Sequence, residues 1–430
     1  MGMTFRRPRA DPTAPSVHDD TACDVALAPL RPMGGPATDR LRIAEPSRRA
    51  RVKTAFLIRS LELGGAERQL VLLATALHER GHDVLVIVFY PGGPLEAELR
   101  HAGVAVRSPG KAGRWDVLGF LVRLSRIVRE AQPDVLHGYL DVANVAAVVM
   151  RPFARTMKVV WGVRASKLDV TRYDWLTRAS QWIAQRLSRY AHLVIANSRA
   201  GCAYALSLGY PQHALRVIPN GIDTRRFAPD REAGRRVRDE WNVAPEETLI
   251  GVVGRLDPMK DHPTFLGAAS RLLTQHASLR FVCVGNGDAR YRAEMVALAQ
   301  RLGLGERLVF ASGRPDMAAV FNALDVMCSS SAFGEGFSNV IGEAMACGIP
   351  CVVTDVGDSA WLVGRPDLVA PPGDARTLAE RLGELLDGGD ERLARVGREA
   401  RERVLEQFSV ANLVDATERA ILGLVEVKAP

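Results

Sequence analysis

Two cations stand five positions apart in Gly254-Arg255-Leu256-Asp257-Pro258-Met259-Lys260, on a loop that Gly254 and Pro258 shape. Arginine binds phosphate oxygens in pairs and lysine adds a point charge, so the two suit a diphosphate and can do the work of a divalent cation. The plainer alternative is a solvated surface loop. Further on, Phe333-Gly334-Glu335-Gly336-Phe337-Ser338-Asn339-Val340-Ile341-Gly342-Glu343-Ala344-Met345-Ala346 carries two carboxylates eight positions apart. Glu335 lies in a glycine-flanked loop, and Glu343 lies one to two turns into a helix beginning near Ser338. One carboxylate can then meet the hydroxyls of a sugar and the other those of a ribose, while the helix N-terminus between them faces phosphates. Without a ligand, Glu335 would be a loop charge and Glu343 a partly buried helix residue. Two glycine pairs add to this set. Gly64-Gly65 precedes a helix and lets backbone approach a phosphate, while Gly285-Asn286-Gly287 either admits a flat base or makes a plain turn.

These loops sit at the ends of predicted strands. Apolar runs at 54–58, 84–89, 104–106, 135–137, 159–163 and 193–196 alternate with helical spacing at 70–77, 96–101 and 117–131. A second series, 249–253, 281–284, 308–310, 326–329 and 351–354, restarts after the turn at Ile218-Pro219-Asn220-Gly221. Continuous apolar strands alternating with helices indicate parallel sheets covered on both faces. The fold class is therefore α/β, with two doubly wound domains and a cleft between the carboxyl ends of their sheets, where open α/β sheets bind ligands.

The sequence has no GxGxxG after the first strand, no GxxxxGK[ST], no HExxH and no GxSxG, which disfavours dinucleotide redox chemistry, P-loop hydrolysis, zinc proteolysis and elbow-type serine hydrolysis. Six cysteines without CxxC pairs argue against a disulfide framework or a zinc site and for a cytoplasmic setting. No run approaches the ~18 apolar residues of a membrane helix. The net charge of +7 is local: residues 151–199 hold ten basic and two acidic side chains, and residues 1–53 hold ten and six. Residues 1–50, rich in proline and charge, read as a disordered extension. Within 151–199, Trp161, Tyr173, Trp175, Trp182 and Tyr190 accompany the arginines. Trp175, Leu176, Ala179, Trp182, Ile183, Leu187 and Tyr190 fall at helical spacing, with Arg172, Arg178 and Arg189 among them. Such a helix either rests on an anionic membrane surface, peripherally at the inner membrane, or buries its aromatic stripe in the core. A nucleic-acid partner is not expected, because the rest of the chain is net acidic and carries no nucleic-acid-binding signature.

From Lys53 onward the chain resembles the retaining glycosyltransferases of family 4. The motifs are GGAER (64–68), VIPNGID (217–223), GRLDPMKDH (254–262) and the two-glutamate segment ending EAMACGIPCV (343–352). The resemblance implies the GT-B architecture of two facing Rossmann-like domains, an acceptor domain at 51–216 and a nucleotide-sugar donor domain at 217–404, with a C-terminal helix at about 405–430 packing back on the first. It implies transfer of a sugar from a nucleotide-sugar to a hydroxyl acceptor, lipid-linked or polysaccharide, with retention of configuration and without a cofactor or essential metal. Arg255 and Lys260 would bind the diphosphate, Glu343 the ribose, and Glu335 with the backbone of Phe337, Ser338 and Asn339 the donor sugar. Gly64, Gly65, Asn220, Gly254, Gly285 and Gly287 complete the expected donor site.

There is one departure. Many family members carry His-x-His after the fourth strand, whereas this chain reads His137-Gly138-Tyr139. His137 fits the first position and is either catalytic or core-packed, with Tyr139 and Asp141 as alternatives nearby. An epimerase or phosphorylase of the same fold, or a non-catalytic nucleotide-sugar-binding protein, are the other readings.

Overall fold

The computed structural model describes residues 51–113, 115–164 and 182–426. The expected extension at 1–50 lies outside them, as do Arg172, Tyr173, Trp175, Leu176, Arg178 and Ala179 of the aromatic stripe. Two parallel sheets carry the fold. The first comprises β1 (Lys53–Ile58), β2 (Asp83–Val88), β3 (Ala105–Arg107), β4 (Val135–Tyr139), β5 (Lys158–Val163), β6 (Leu193–Ala196) and β7 (Leu215–Val217). The second comprises β8 (Thr248–Val253), β9 (Leu279–Val284), β10 (Leu308–Ala311), β11 (Val326–Ser329), β12 (Cys351–Thr354) and β13 (Val369–Ala370).

The spatial orders are β3-β2-β1-β4-β5-β6-β7 and β10-β9-β8-β11-β12-β13. In the first sheet Thr54 of β1 pairs with both Val84 and Val135, so the strand order reverses between β1 and β4. In the second it reverses between β8 and β11. The loops leaving these four strands are the ones that carry the chemical motifs, as a topological switch point requires. Helices cover both faces of the first sheet. Phe120, Leu124, Ala143 and Ala147 pack on one face, and Leu70, Leu73, Leu95, Leu413 and Val414 on the other.

Several expected boundaries move. The run at 104–106 is a strand at Ala105–Arg107, and the fourth strand continues past His137 to Tyr139. The expected domain boundary at 216/217 falls inside β7, which belongs to the first sheet. The single helix expected from 405 is two helices, Gly389–Gln407 and Val410–Glu426. Phe408 breaks them, because its buried ring packs edge-on against Phe337 at 5.4 Å and Trp361 at 5.1 Å. The chain thus crosses between domains twice, and the crossings run side by side: Ile222 N–H donates to Phe408 O at 2.7 Å, and Val410 N–H to Ile222 O at 3.2 Å.

Candidate active site

The loop after β8 is built to present Lys260. Gly254 has φ of +154°, and a Cβ there would lie 2.9 Å from Lys260 Cε. Asp257 then turns the chain by accepting from Met259 N–H at 2.8 Å, and Pro258–Lys260 forms one 3-10 turn. The loop after β11 clasps this turn: Ser330 Oγ donates to Lys260 O at 2.8 Å and Ala332 N–H to Met259 O at 2.9 Å. The outcome is an ion pair between Lys260 Nζ and Glu335 Oε1 at 2.5 Å, with side-chain exposures of only 11% and 8%. Ser331 Oγ donates to the same carboxylate oxygen at 2.8 Å. Glu335 holds its place because Gly334 and Gly357 take positive φ of +78° and +61°, and a Cβ at the latter would fall 2.2 Å from the Glu335 carbonyl oxygen.

Arg255 stands apart from this pair. Its side chain is 73% exposed and meets Asp257 at 3.2 Å. The glycines at 285 and 287 have a nearer neighbour than a base. A Cβ at Gly285 would fall 1.8 Å from Gly254 O, and one at Gly287 2.1 Å from Leu256 O. They let the loops after β8 and β9 lie in backbone contact, sealed where Leu256 N–H donates to Asn286 O at 2.9 Å.

Ser338 ends the Glu335 loop and precedes the helix Asn339–Ala346, while Phe337 anchors the turn in the core. Glu343 lies on this helix. Burial pushes its carboxyl up to about 7, against the pull of Arg68 and Arg226. Arg68 exerts its charge from the first domain, from the helix Gly65–Glu79.

The two domains meet around these residues. Asn220 Nδ2 donates to Asn339 Oδ1 at 2.8 Å, and Gln69 holds both the N–H and the carbonyl of Gly221, each at 2.8 Å. A Cβ at Gly65 would sit 3.2 Å from Asn339 Nδ2, so the glycine lets one helix N-terminus come up to another, whereas a Cβ at Gly64 would meet only the Glu67 side chain. Asp358 makes a further bridge. Its buried carboxylate accepts from Arg199 N–H at 2.7 Å and Ala200 N–H at 2.9 Å, capping the helix Arg199–Ser207 of the opposite domain. Its own N–H donates to Gly336 O at 3.1 Å. Burial pushes this carboxyl up to about 6, although the two helix N–H groups pull it down.

His137 is enclosed, with its ring 5.3 Å from that of Phe56 and 4.9 Å from that of Tyr139. Burial, aided by Arg164, holds its pKa well below the usual histidine range, so the ring is neutral. Asp141 begins the helix Asp141–Val149, and burial raises its pKa as well. Arg68, Gln69, Arg164 and Asp358 are site residues that sequence reasoning missed. Arg68 and Gln69 adjoin the glycine pair and were within reach of it, whereas nothing in the sequence around Asp358 signals a contact with the other domain.

In the 151–199 segment, Trp161 is fully buried against Tyr210, while Trp182 is 56% exposed with Arg186 stacked on it at 4.9 Å. Ile183 and Tyr190 are also exposed. Of the stripe's described members, Trp182, Ile183 and Tyr190 therefore lie at the surface, and Leu187 packs partly buried against the core. No helix among the described residues is long and apolar enough to cross a membrane.

Residues 63–226 match the family model described as Glycosyltransferase Family 4, and residues 247–388 the one described as Glycosyl transferases group 1. The chain belongs to the family 4 glycosyltransferases. This glycosyltransferase is 29% identical to the 2-deoxystreptamine glucosyltransferase of Streptomyces kanamyceticus, over 60% of its own chain and 67% of the relative. It is 27% identical to the lipopolysaccharide core biosynthesis glycosyltransferase LpsE of Rhizobium meliloti, over 82% and 94%. It spans about half the length of the D-inositol 3-phosphate glycosyltransferase of Nocardia farcinica, at 31% identity over 49% and 48%. Among solved structures, the HepE protein of Anabaena in complex with UDP superposes with a TM-score of 0.75 at 23% identity, covering 86% of this chain and 100% of that one. The glycosyltransferase has the GT-B fold.

Proposed function

We propose that the enzyme transfers a sugar from a nucleoside diphosphate sugar to a hydroxyl acceptor with retention of configuration. The observation that carries this reading is the buried Lys260–Glu335 pair beside the N-terminus of the helix bearing Glu343. Lys260 and Arg255 take the diphosphate, and Glu335 orients both Lys260 and a sugar hydroxyl. Glu343, desolvated, takes the ribose diol. As the glycosidic bond breaks, charge grows on the β-phosphate oxygens, and preorganised cations lower that barrier without a divalent metal. The leaving phosphate itself accepts the acceptor proton, so retention needs no protein nucleophile. That suits the enclosure of His137. The UDP held by HepE favours a uridine donor. Relatives named for lipopolysaccharide core and, in Mycolicibacterium smegmatis, for a phosphatidylinositol mannoside favour a glycan or lipid-linked acceptor and a cytoplasmic enzyme in envelope polysaccharide synthesis.

The deciding measurement is release of nucleoside diphosphate from UDP-, GDP- and ADP-sugars, with and without acceptor and in the presence of chelator. Wild type turns over one donor with chelator present, and Lys260→Ala and Arg255→Ala each lose about 10²-fold in kcat/KM. Near-native activity in both variants sinks the assignment. Donor binding without turnover across the panel favours a sensor instead. The exposed Trp182, Ile183 and Tyr190 with Arg186 and Arg189 favour docking at an anionic membrane surface. Salt-sensitive co-sedimentation with anionic vesicles is expected, and equal recovery with neutral vesicles counts against it.

A further inference from the structure

Arg164 follows β5 at the carboxyl edge of the first sheet, on the cleft side. Its guanidinium carbon lies 4.3 Å from the centroid of the Tyr139 ring. One terminal nitrogen donates to Asn220 Oδ1 at 3.2 Å, and Nε is enclosed without any partner. The one hydrogen bond goes to a neutral amide, and among the described residues no carboxylate pairs with this cation. The groups beside it are also unfilled. Tyr139 Oη and both ring nitrogens of His137 are buried with no hydrogen-bond partner, on side chains 1% and 0% exposed.

The position of this cation relates it to the reaction. Asn220 links Arg164 to Asn339, the first residue of the helix that ends the Glu335 loop. Arg164 is thus two hydrogen bonds from the region where the donor sugar would sit, yet it belongs to the opposite domain from Lys260 and Arg255, which the diphosphate occupies. A second anion is needed to complete it. A guanidinium with unused N–H donors matches the charged oxygens of a carboxylate or phosphate better than a neutral hydroxyl.

We infer that Arg164, stacked on Tyr139 and tethered to Asn220, anchors a subsite for a carboxylate or phosphate group carried by one of the two sugar substrates. The inference rests on the nucleotide-sugar reading above. The anion has two sources, an acidic acceptor or a donor whose sugar is a uronic acid, and the test separates them.

Calorimetric titration of UDP-glucuronate against UDP-glucose probes the donor source. Inositol 1-phosphate against inositol, in saturating UDP, probes the acceptor source. Wild type is expected to prefer the anionic member of one pair by roughly ten- to a hundred-fold, the scale of a charge-assisted hydrogen bond. Arg164→Met, which keeps an unbranched apolar chain beside Tyr139 and removes the guanidinium, abolishes that preference and leaves UDP affinity within about twofold, since the diphosphate cations are untouched. Arg164→Lys keeps the charge, loses the fork and retains part of the preference, which guards against a folding defect in the methionine variant. Equal affinity within both pairs in wild type overturns the inference, as does a preference that Arg164→Met leaves intact. UDP binding, read in the same titrations, tests the donor reading separately.

Discussion

Glu343 makes donor affinity depend on pH in a way that can be worked through. Burial holds its carboxyl at about 7 in the free protein, well above the ordinary value of 4.5. A ribose diol donates hydrogen bonds and so prefers the ionised carboxylate. If only the ionised form binds, the apparent Kd carries a factor of one plus ten raised to the difference between pKa and pH. That factor is about 1.1 at pH 8, about 2 at pH 7 and about 11 at pH 6, a loss of roughly tenfold or 1.4 kcal/mol between pH 8 and pH 6. A nucleotide-sugar is the right ligand, because its bridged diphosphate has no proton to lose in this window. Calorimetry from pH 8 to pH 6 with wild type and Glu343→Gln is the assay. Wild type weakens by the stated factor, while the amide variant binds more weakly at pH 8 and shows a flat profile. Stability moves the opposite way. A folded-state pKa raised above 4.5 means the penalty is absent below pH 4.5, grows as the pH rises and is complete above pH 7, where it reaches about 3 kcal/mol. Glu343→Gln therefore raises the melting temperature at pH 8 and leaves it unchanged near pH 4. A flat wild-type affinity profile, or a Glu343→Gln protein less stable than wild type at pH 8, refutes the reasoning.

Asp358 bonds the donor-side loop to the start of the helix Arg199–Ser207, so Asp358→Ala is expected to loosen the contact between the two domains: the free enzyme gains radius of gyration in small-angle scattering, and saturating donor restores it. Scattering profiles that coincide with wild type count against that role. Gly285→Ala places a Cβ against the Gly254 carbonyl at 1.8 Å and forces the loops after β8 and β9 apart, so a loss of at least about 2 kcal/mol is expected in chemical denaturation. Wild-type stability in this variant would show that the backbone approach is dispensable.

The two sheets were legible because parallel strands are buried on both faces and read as unbroken apolar runs, as Val84 to Val88 do. β7 escaped because Arg216 interrupts its apolar residues, and β13 because two residues make no run. Phe408 hid the break before the last helix, since its apolar side chain continues the helical period while its ring turns into the core of the second domain. Lys260, Glu335 and Glu343 were singled out as candidates by residue type and spacing within short segments of sequence. Arg164 and Asp358 were not, because each depends on a partner from a distant part of the chain, and local sequence does not encode that juxtaposition. At Gly285 and Gly287 the expectation was a flat base or a plain turn, and the structure puts the protein's own backbone against both.

The paired crossings at Ile222 and Phe408–Val410 have a mechanical consequence. A single connecting strand would let one half of the molecule swivel in any direction. Two strands bonded side by side behave like a door hung on two pins, with bending about one line easy and twisting resisted. The last helix, sealed to the first domain by Leu413, Val414 and the Arg80–Glu418 ion pair, fastens the second pin. Whatever opening admits a substrate must then swing along one arc, so Arg164 and Lys260 return to the same registration on every closure.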